Sequence, residues 1–78
     1  MRELSILQEC SVADIIREGV RMEQELLRFY EESLPQVGYD VRPLFMHLVE
    51  DSRRNLRLLG EKGRELKLMQ QLTEPIAD

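Results

Sequence analysis

The residues best placed to do chemistry in this sequence are polar side chains standing where apolar ones are expected. Glu23 is surrounded at helical spacing by Ile16, Gly19, Val20, Leu26, Leu27 and Tyr30. Ser52, with Asn55 one turn further, holds the matching place in a second run of Val41, Leu44, Phe45, Leu48, Val49, Leu56, Leu58 and Leu59. A carboxylate withdrawn from water without a partner either protonates or recruits a cation. An unsatisfied neutral polar group costs about 1–3 kcal/mol. Glu23, Ser52 and Asn55 are therefore expected to meet one another, a water or an ion. A second group is His47 with Glu50 and Asp51, three and four residues later. That spacing suits a histidine and a carboxylate sharing a metal on one helix face, but it equally suits a surface pair, which is the simpler reading. The metal candidates are thus Glu23, His47, Glu50 and Asp51.

Other reactive types are sparse. Cys10 is the single cysteine, so it has no partner for a disulfide within the chain, and its place before a helix start is the one feature that would lower its pKa. No base is paired with it in the sequence, and no nucleophile motif or phosphate-cradling glycine loop is present. Arg53, Arg54, Arg57, Lys62, Arg64 and Lys67 make a locally basic stretch. With no aromatic residue interleaved, a solvated face or a contact between subunits explains it better than nucleic acid does. The chain carries fifteen acids against eleven bases, a net −4, which also argues against nucleic acid as the main partner.

Two long elements must position these residues. Ser11-Val-Ala-Asp14 has the form of a capping box, an N-cap hydroxyl with an acid three residues on. No proline follows until Pro35, and the apolar residues from Val12 to Leu34 share one half of a helical wheel, with Arg17, Arg21, Glu25, Arg28, Glu31 and Glu32 on the other. The spacing predicts a first helix over 11–34. Pro35, Gly38 and Asp40 predict a turn over 35–40, with Gly38 free to take a positive φ and Asp40 able to cap the next helix. That second helix is predicted over 41–72, with Pro43 tolerated in its first turn and weakness expected at Gly60 and Gly63. Residues 1–10 form an N-terminal arm whose Leu4, Ile6 and Leu7 can cover the overhang of the longer second helix, and 73–78 form a tail.

A chain of 78 residues holds one domain. Its 42 % apolar and 33 % charged residues fit a folded helical protein and not a disordered or fibrous one. The fold class is all-α, an antiparallel helical hairpin. Each apolar arc is wider than one neighbouring helix can cover, so a homodimer forming a four-helix bundle is expected, with Ile16, Val20, Leu27, Phe45, Leu48, Leu56 and Leu59 at its interface. No apolar run reaches the roughly 20 residues of a membrane span and no secretory leader is evident, so a cytoplasmic protein without a membrane partner is expected.

The runs Glu18-Gly-Val-Arg-Met-Glu-Gln-Glu-Leu-Leu-Arg-Phe-Tyr30 and Val41-Arg-Pro-Leu-Phe-Met-His-Leu-Val-Glu-Asp-Ser-Arg-Arg-Asn-Leu56 resemble half of a rubrerythrin-type ferritin-like bundle. The resemblance covers residues 12–60 and rests on a Glu seven residues before a Tyr and on Val-x-x-Leu-Phe-x-x-Leu. It implies an iron ligand at Glu23 and a Glu-x-x-His pair on the second helix, where this chain has Ser52 and Asn55 instead. Two copies would supply two such carboxylates and no core histidine, against the four carboxylates and two histidines of a di-iron centre. The expectation is therefore a non-catalytic, self-associating scaffold or partner-binding module, with no cofactor and a lost di-iron site. The competing expectation is an iron-binding or oxidoreductase-like relative, in which Glu23 draws on His47, Glu50 or Asp51 for iron or another divalent metal.

Overall fold

The computed structural model describes residues 11–73. Helix α1 spans Val12–Ser33, a short 3-10 turn spans Leu34–Gln36, and helix α2 spans Arg42–Thr73. The two helices pack against each other as an antiparallel hairpin, and no strand occurs among the described residues. The N-terminal arm with Leu4, Ile6, Leu7 and Cys10 lies outside the described residues, as does the tail after Thr73.

The start of α1 is built by its own sequence. Asp14 N–H donates to the Ser11 hydroxyl at 3.1 Å, and Ser11 N–H donates back to the Asp14 carboxylate at 3.2 Å, so two otherwise orphaned donors are satisfied. Arg17 adds an ion pair to Asp14 at 2.8 Å. The Ser11 backbone N–H, then its hydroxyl and then Arg17 all favour the charged carboxylate and hold the Asp14 pKa below the ordinary aspartate range. Arg21 does the same for Glu18, one turn further along, and its own pKa is raised in return.

The other end of α1 departs from regular helix at Leu34. Leu34 N–H still donates to the Tyr30 carbonyl, but with Pro35 next the chain tightens into the 3-10 turn. The Ser33 hydroxyl donates to the Phe29 carbonyl at 2.7 Å. The Gly38 carbonyl then accepts from Val41 N–H at 3.1 Å and Arg42 N–H at 2.9 Å, opening α2 at Arg42. Gly38 does not use a positive φ; a Cβ there would stand 3.0 Å from Asp40 Oδ1, the end of an exposed side chain that is free to turn aside. Arg42 closes the turn, with its guanidinium donating to the Val37 carbonyl at 3.3 Å and lying 5.0 Å from the Tyr39 ring centre.

Helix α2 runs without a break through Gly60 and Gly63, where the sequence predicts weakness. Each glycine costs a helix interior about 1 kcal/mol relative to alanine; Gly63 lies against Ile16 of α1, whereas the space beside Gly60 is taken by Arg64 of α2 itself. A Cβ on Gly63 would sit 3.6 Å from Ile16 Cγ2, and one on Gly19 would sit 3.5 Å from Leu59 Cδ2. The helices therefore run close together at this end. At the turn end the contact is bulkier: the Tyr30 and Phe45 rings meet edge to face at 6.0 Å.

The capping box makes α1 sensitive to acid. Because the Asp14 pKa is lower folded than unfolded, its contribution is fully present above the ordinary value of about 4 and is lost as the pH falls through the lowered one. Thermal melts followed by circular dichroism should show stability falling below about pH 4, with a smaller fall for Asp14→Asn. Ser11→Ala should cost about 1 kcal/mol at neutral pH in the same melts.

Candidate functional site

Each helix carries two parallel seams of residues in alternating steps of three and four. On α1 the inner seam is Ile16, Val20, Glu23, Leu27, Tyr30 and, just past its end, Leu34; all are half-buried. On α2 it is Phe45, Val49, Ser52, Leu56, Leu59, Gly63 and Leu66, all buried or half-buried. These two seams face each other inside one hairpin. Of the residues expected at a subunit interface, Ile16, Val20, Leu27, Phe45, Leu56 and Leu59 lie on the seams between the helices of a single chain, where they are half-buried, and Leu48 is half-buried at their margin. A helical wheel assigns one broad arc per helix and cannot say which edge of it the sister helix takes.

The outer seams are covered less. On α1 they comprise Ile15, Met22, Leu26 and Phe29, with Met22 at 55 % and Phe29 at 58 % exposure, while Gly19 between them lies against Leu59 of α2. On α2 they comprise Leu44, Leu48, Asp51, Asn55, Leu58 and Lys62, with Leu58 at 57 %. Both outer seams are displaced in the same rotational sense from the inner ones. In an antiparallel pair that places them on one side of the hairpin. The opposite side is more highly charged, and there Arg53 pairs with Glu31 across the helices at 2.9 Å. It also holds an open groove of about 450 Å³ with an apolar floor of Ala13, Ile16, Val20 and Leu59, flanked by Arg17, Arg64 and Lys67.

Halfway along the apolar side is the polar layer. Asn55 Nδ2 donates to Glu23 Oε1 at 3.5 Å, a long contact that joins α1 to α2. Ser52 is 2 % exposed and, with Val49 at 5 %, is one of the two buried residues among those described. Its small side chain sits on the seam where a leucine would push the helices apart. The structure thus places all three polar residues in the middle of the hairpin and brings two of them together.

His47, Glu50 and Asp51 form a different assembly. Asp51 lies between His47 Nε2 at 3.3 Å and Arg54 Nη1 at 3.0 Å, all on the surface of α2. Glu50 is exposed. No three His, Cys, Asp or Glu side chains among the described residues come close enough to share a metal ion. The donors present do not fit a di-iron centre: the central layer offers one carboxylate, one amide and one hydroxyl per chain, and the imidazole is engaged elsewhere.

No protein-family description matches the sequence, and no curated protein or solved structure matches it. No helix among the described residues is long and apolar enough to cross a membrane.

The signal missed in the sequence is the second seam. Ile15, Met22, Leu26, Phe29 and Leu44 all fall on the apolar halves of the wheels, and reading the three-and-four spacing twice separates them from the inner set. Two substitutions test the polar layer by urea unfolding. Glu23→Gln keeps an acceptor for Asn55 and should change stability by less than about 1 kcal/mol; a large loss would show an ionised carboxylate held by a cation. Ser52→Leu should cost about 1–3 kcal/mol by overpacking the seam.

Proposed function

We propose that this chain is a non-catalytic self-association module, a hairpin whose outer apolar side is covered by a second copy to give a four-helix bundle of ferritin-like architecture. The observation that carries this reading is the outer side itself: Ile15, Met22, Leu26, Phe29, Leu44 and Leu58 are all exposed in the single chain. Scattered exposed apolar residues need no explanation, but a contiguous stripe on one side of two helices marks an interaction surface. The thinnest dimension of the chain, 14 Å, is close to the roughly 10–12 Å of one helix with its side chains. A sheet of helices one layer thick has no interior on that side until another layer is added.

A second copy suits this face because the face is the same length and has the same seam spacing as the surface that must cover it. The assembled bundle serves as a scaffold or as a docking platform for a further protein. The residual likeness of residues 12–60 to rubrerythrin-type sequences fits a bundle that kept its helices after losing its iron ligands at Ser52 and Asn55. An iron-handling role has less support, because His47 and Asp51 lie together with Arg54 on the surface of α2 and Glu50 is exposed there, away from Glu23 in the central layer. Nucleic-acid binding also has less support, since the groove with Arg17, Arg64 and Lys67 has no aromatic side chain in its lining for a base to stack on.

Sedimentation equilibrium at micromolar concentration should give at least a dimer. Phe29→Glu, which places a charge at the turn end of the exposed stripe, should shift the protein to monomer with reduced helicity. A wild-type chain that sediments as a stable, folded monomer would overturn the proposal.

A further inference from the structure

The charged side of the hairpin treats its cations differently at its two ends. Towards the turn, Arg53 of α2 reaches across to Glu31 of α1 at 2.9 Å. Towards the open end, Arg64 and Lys67 of α2 stand opposite a stretch of α1 that offers Ala13, Ile16, Val20 and a further cation, Arg17. Among the described residues neither Arg64 nor Lys67 has an ion-pair partner, and the neighbouring Glu65 is held by Lys62 at 3.2 Å. Arg17 pairs with Asp14 at 2.8 Å, and Asp14 is not part of the groove lining. Arg64 lies back over Gly60, its Nη1 3.5 Å from where a Cβ would stand, so its guanidinium borders the floor. The groove of about 450 Å³ thus joins an apolar floor to three cations with no carboxylate in its lining. It is a local excess of positive charge on a chain whose net charge is −4.

We infer that this groove docks an acidic amphipathic helix of a partner protein, with its apolar face on Ile16, Val20 and Leu59 and its carboxylates on Arg17, Arg64 and Lys67. Docking there deepens the platform role proposed above and rests on it. It does not rest on the pairing of copies, because the groove lies on the side away from the outer seams and stays open when they are covered. Cations around an apolar floor attract a ligand that is both apolar and anionic. The open shape of the groove then chooses among such ligands. Any occupant keeps one side in water, which suits a helix with a polar face and leaves a hydrocarbon tail half unburied. A helix also matches the space, since two antiparallel helices leave a straight trough between them. This one follows α2 from Leu59 to Gln70, about three helical turns.

Other occupants match these features less well. The apolar seams of a second copy are engaged in the pairing proposed above, and Glu18 and Glu25 beside its α1 seam are held by its own Arg21. Residues 1–10 carry Glu3 and Glu9 against Arg2, a weak complement to three cations. Nucleic acid would meet hydrocarbon on the floor and no aromatic side chain on which to stack a base.

The test uses the full chain and a fluorescein-labelled helical peptide of about three turns, with leucines along one face and glutamates beside them. A matched peptide carries lysine at each glutamate position. Anisotropy should show saturable binding of the glutamate peptide, at least about tenfold tighter than the lysine peptide and weaker as salt rises. The Arg64→Glu, Lys67→Glu chain, changed at two exposed positions, should lose at least about tenfold for the glutamate peptide and gain affinity for the lysine peptide. That gain is a result that simple misfolding would not give. Equal affinity for the two peptides, or a double variant that binds both as the wild type does, would overturn the inference. So would oleate or an RNA oligonucleotide that binds more tightly than the glutamate peptide. A Leu4→Glu, Leu7→Glu chain that binds this peptide more tightly than the wild type would overturn it too, by assigning the groove to residues 1–10. Sedimentation of the same samples separates the two proposals. Dimeric protein that binds no peptide would remove docking and leave self-association standing, and a folded monomer that prefers the glutamate peptide would do the reverse.

Discussion

Everything in this structure depends on how little two helices can cover. A pair of cylinders touches along one line, and each helix here carries two adjacent seams rather than one. The inner seams meet, and among the described residues their contact buries only Val49 and Ser52. Leucines, an isoleucine, a phenylalanine and a methionine on the outer seams stay in water. Local devices do what they can: the Ser11–Asp14 box starts α1, the Gly38 carbonyl starts α2, and intrahelical pairs such as Arg21 with Glu18 and Glu25 line the polar faces. Exposed pairs of that kind contribute only tenths of a kcal/mol to about one each. They shape helices without supplying a core.

The polar residues at the centre make sense in the same terms. An uninterrupted apolar seam can pair in several registers with similar energy. Glu23, Ser52 and Asn55 interrupt the apolar surface at one height, and each does so differently. Ser52 keeps the helices close, Asn55 bridges to Glu23, and Glu23 retains carboxylate oxygen for a further donor. Small residues at Gly19 and Gly63 narrow one end of the hairpin while Tyr30 and Phe45 fill the other. The result is a tapered face with a marked midpoint.

Much of this was legible in the sequence, and the limits have physical causes. Wheel periodicity, the capping box and Pro35 with Gly38 all bear on local backbone, which is why they describe a helical hairpin. Uninterrupted helix through Gly60 and Gly63 was not legible, because propensity alone does not include tertiary contacts such as that of Ile16 with the Gly63 position. Glu23, Ser52 and Asn55 stood out by contrast with their surroundings, but the particular bond from Asn55 to Glu23 depends on the relative height of two helices, which periodicity does not encode. The division of each arc into a covered and an uncovered seam is likewise a property of the pair. The His47–Asp51 pair shows the converse case, where i, i+4 spacing alone was enough to anticipate contact, while Glu50 at i, i+3 stays exposed and Arg54 joins Asp51 from the other side.

The most direct measurement is thermal unfolding at protein concentrations spanning a hundredfold range. If covering the outer side completes the fold, unfolding is coupled to dissociation, and mass action should raise the midpoint on the order of 5–10 °C across that range. A cooperative transition whose midpoint does not move with concentration would show that the single hairpin is stable on its own, and would contradict the dependence of the fold on a second copy.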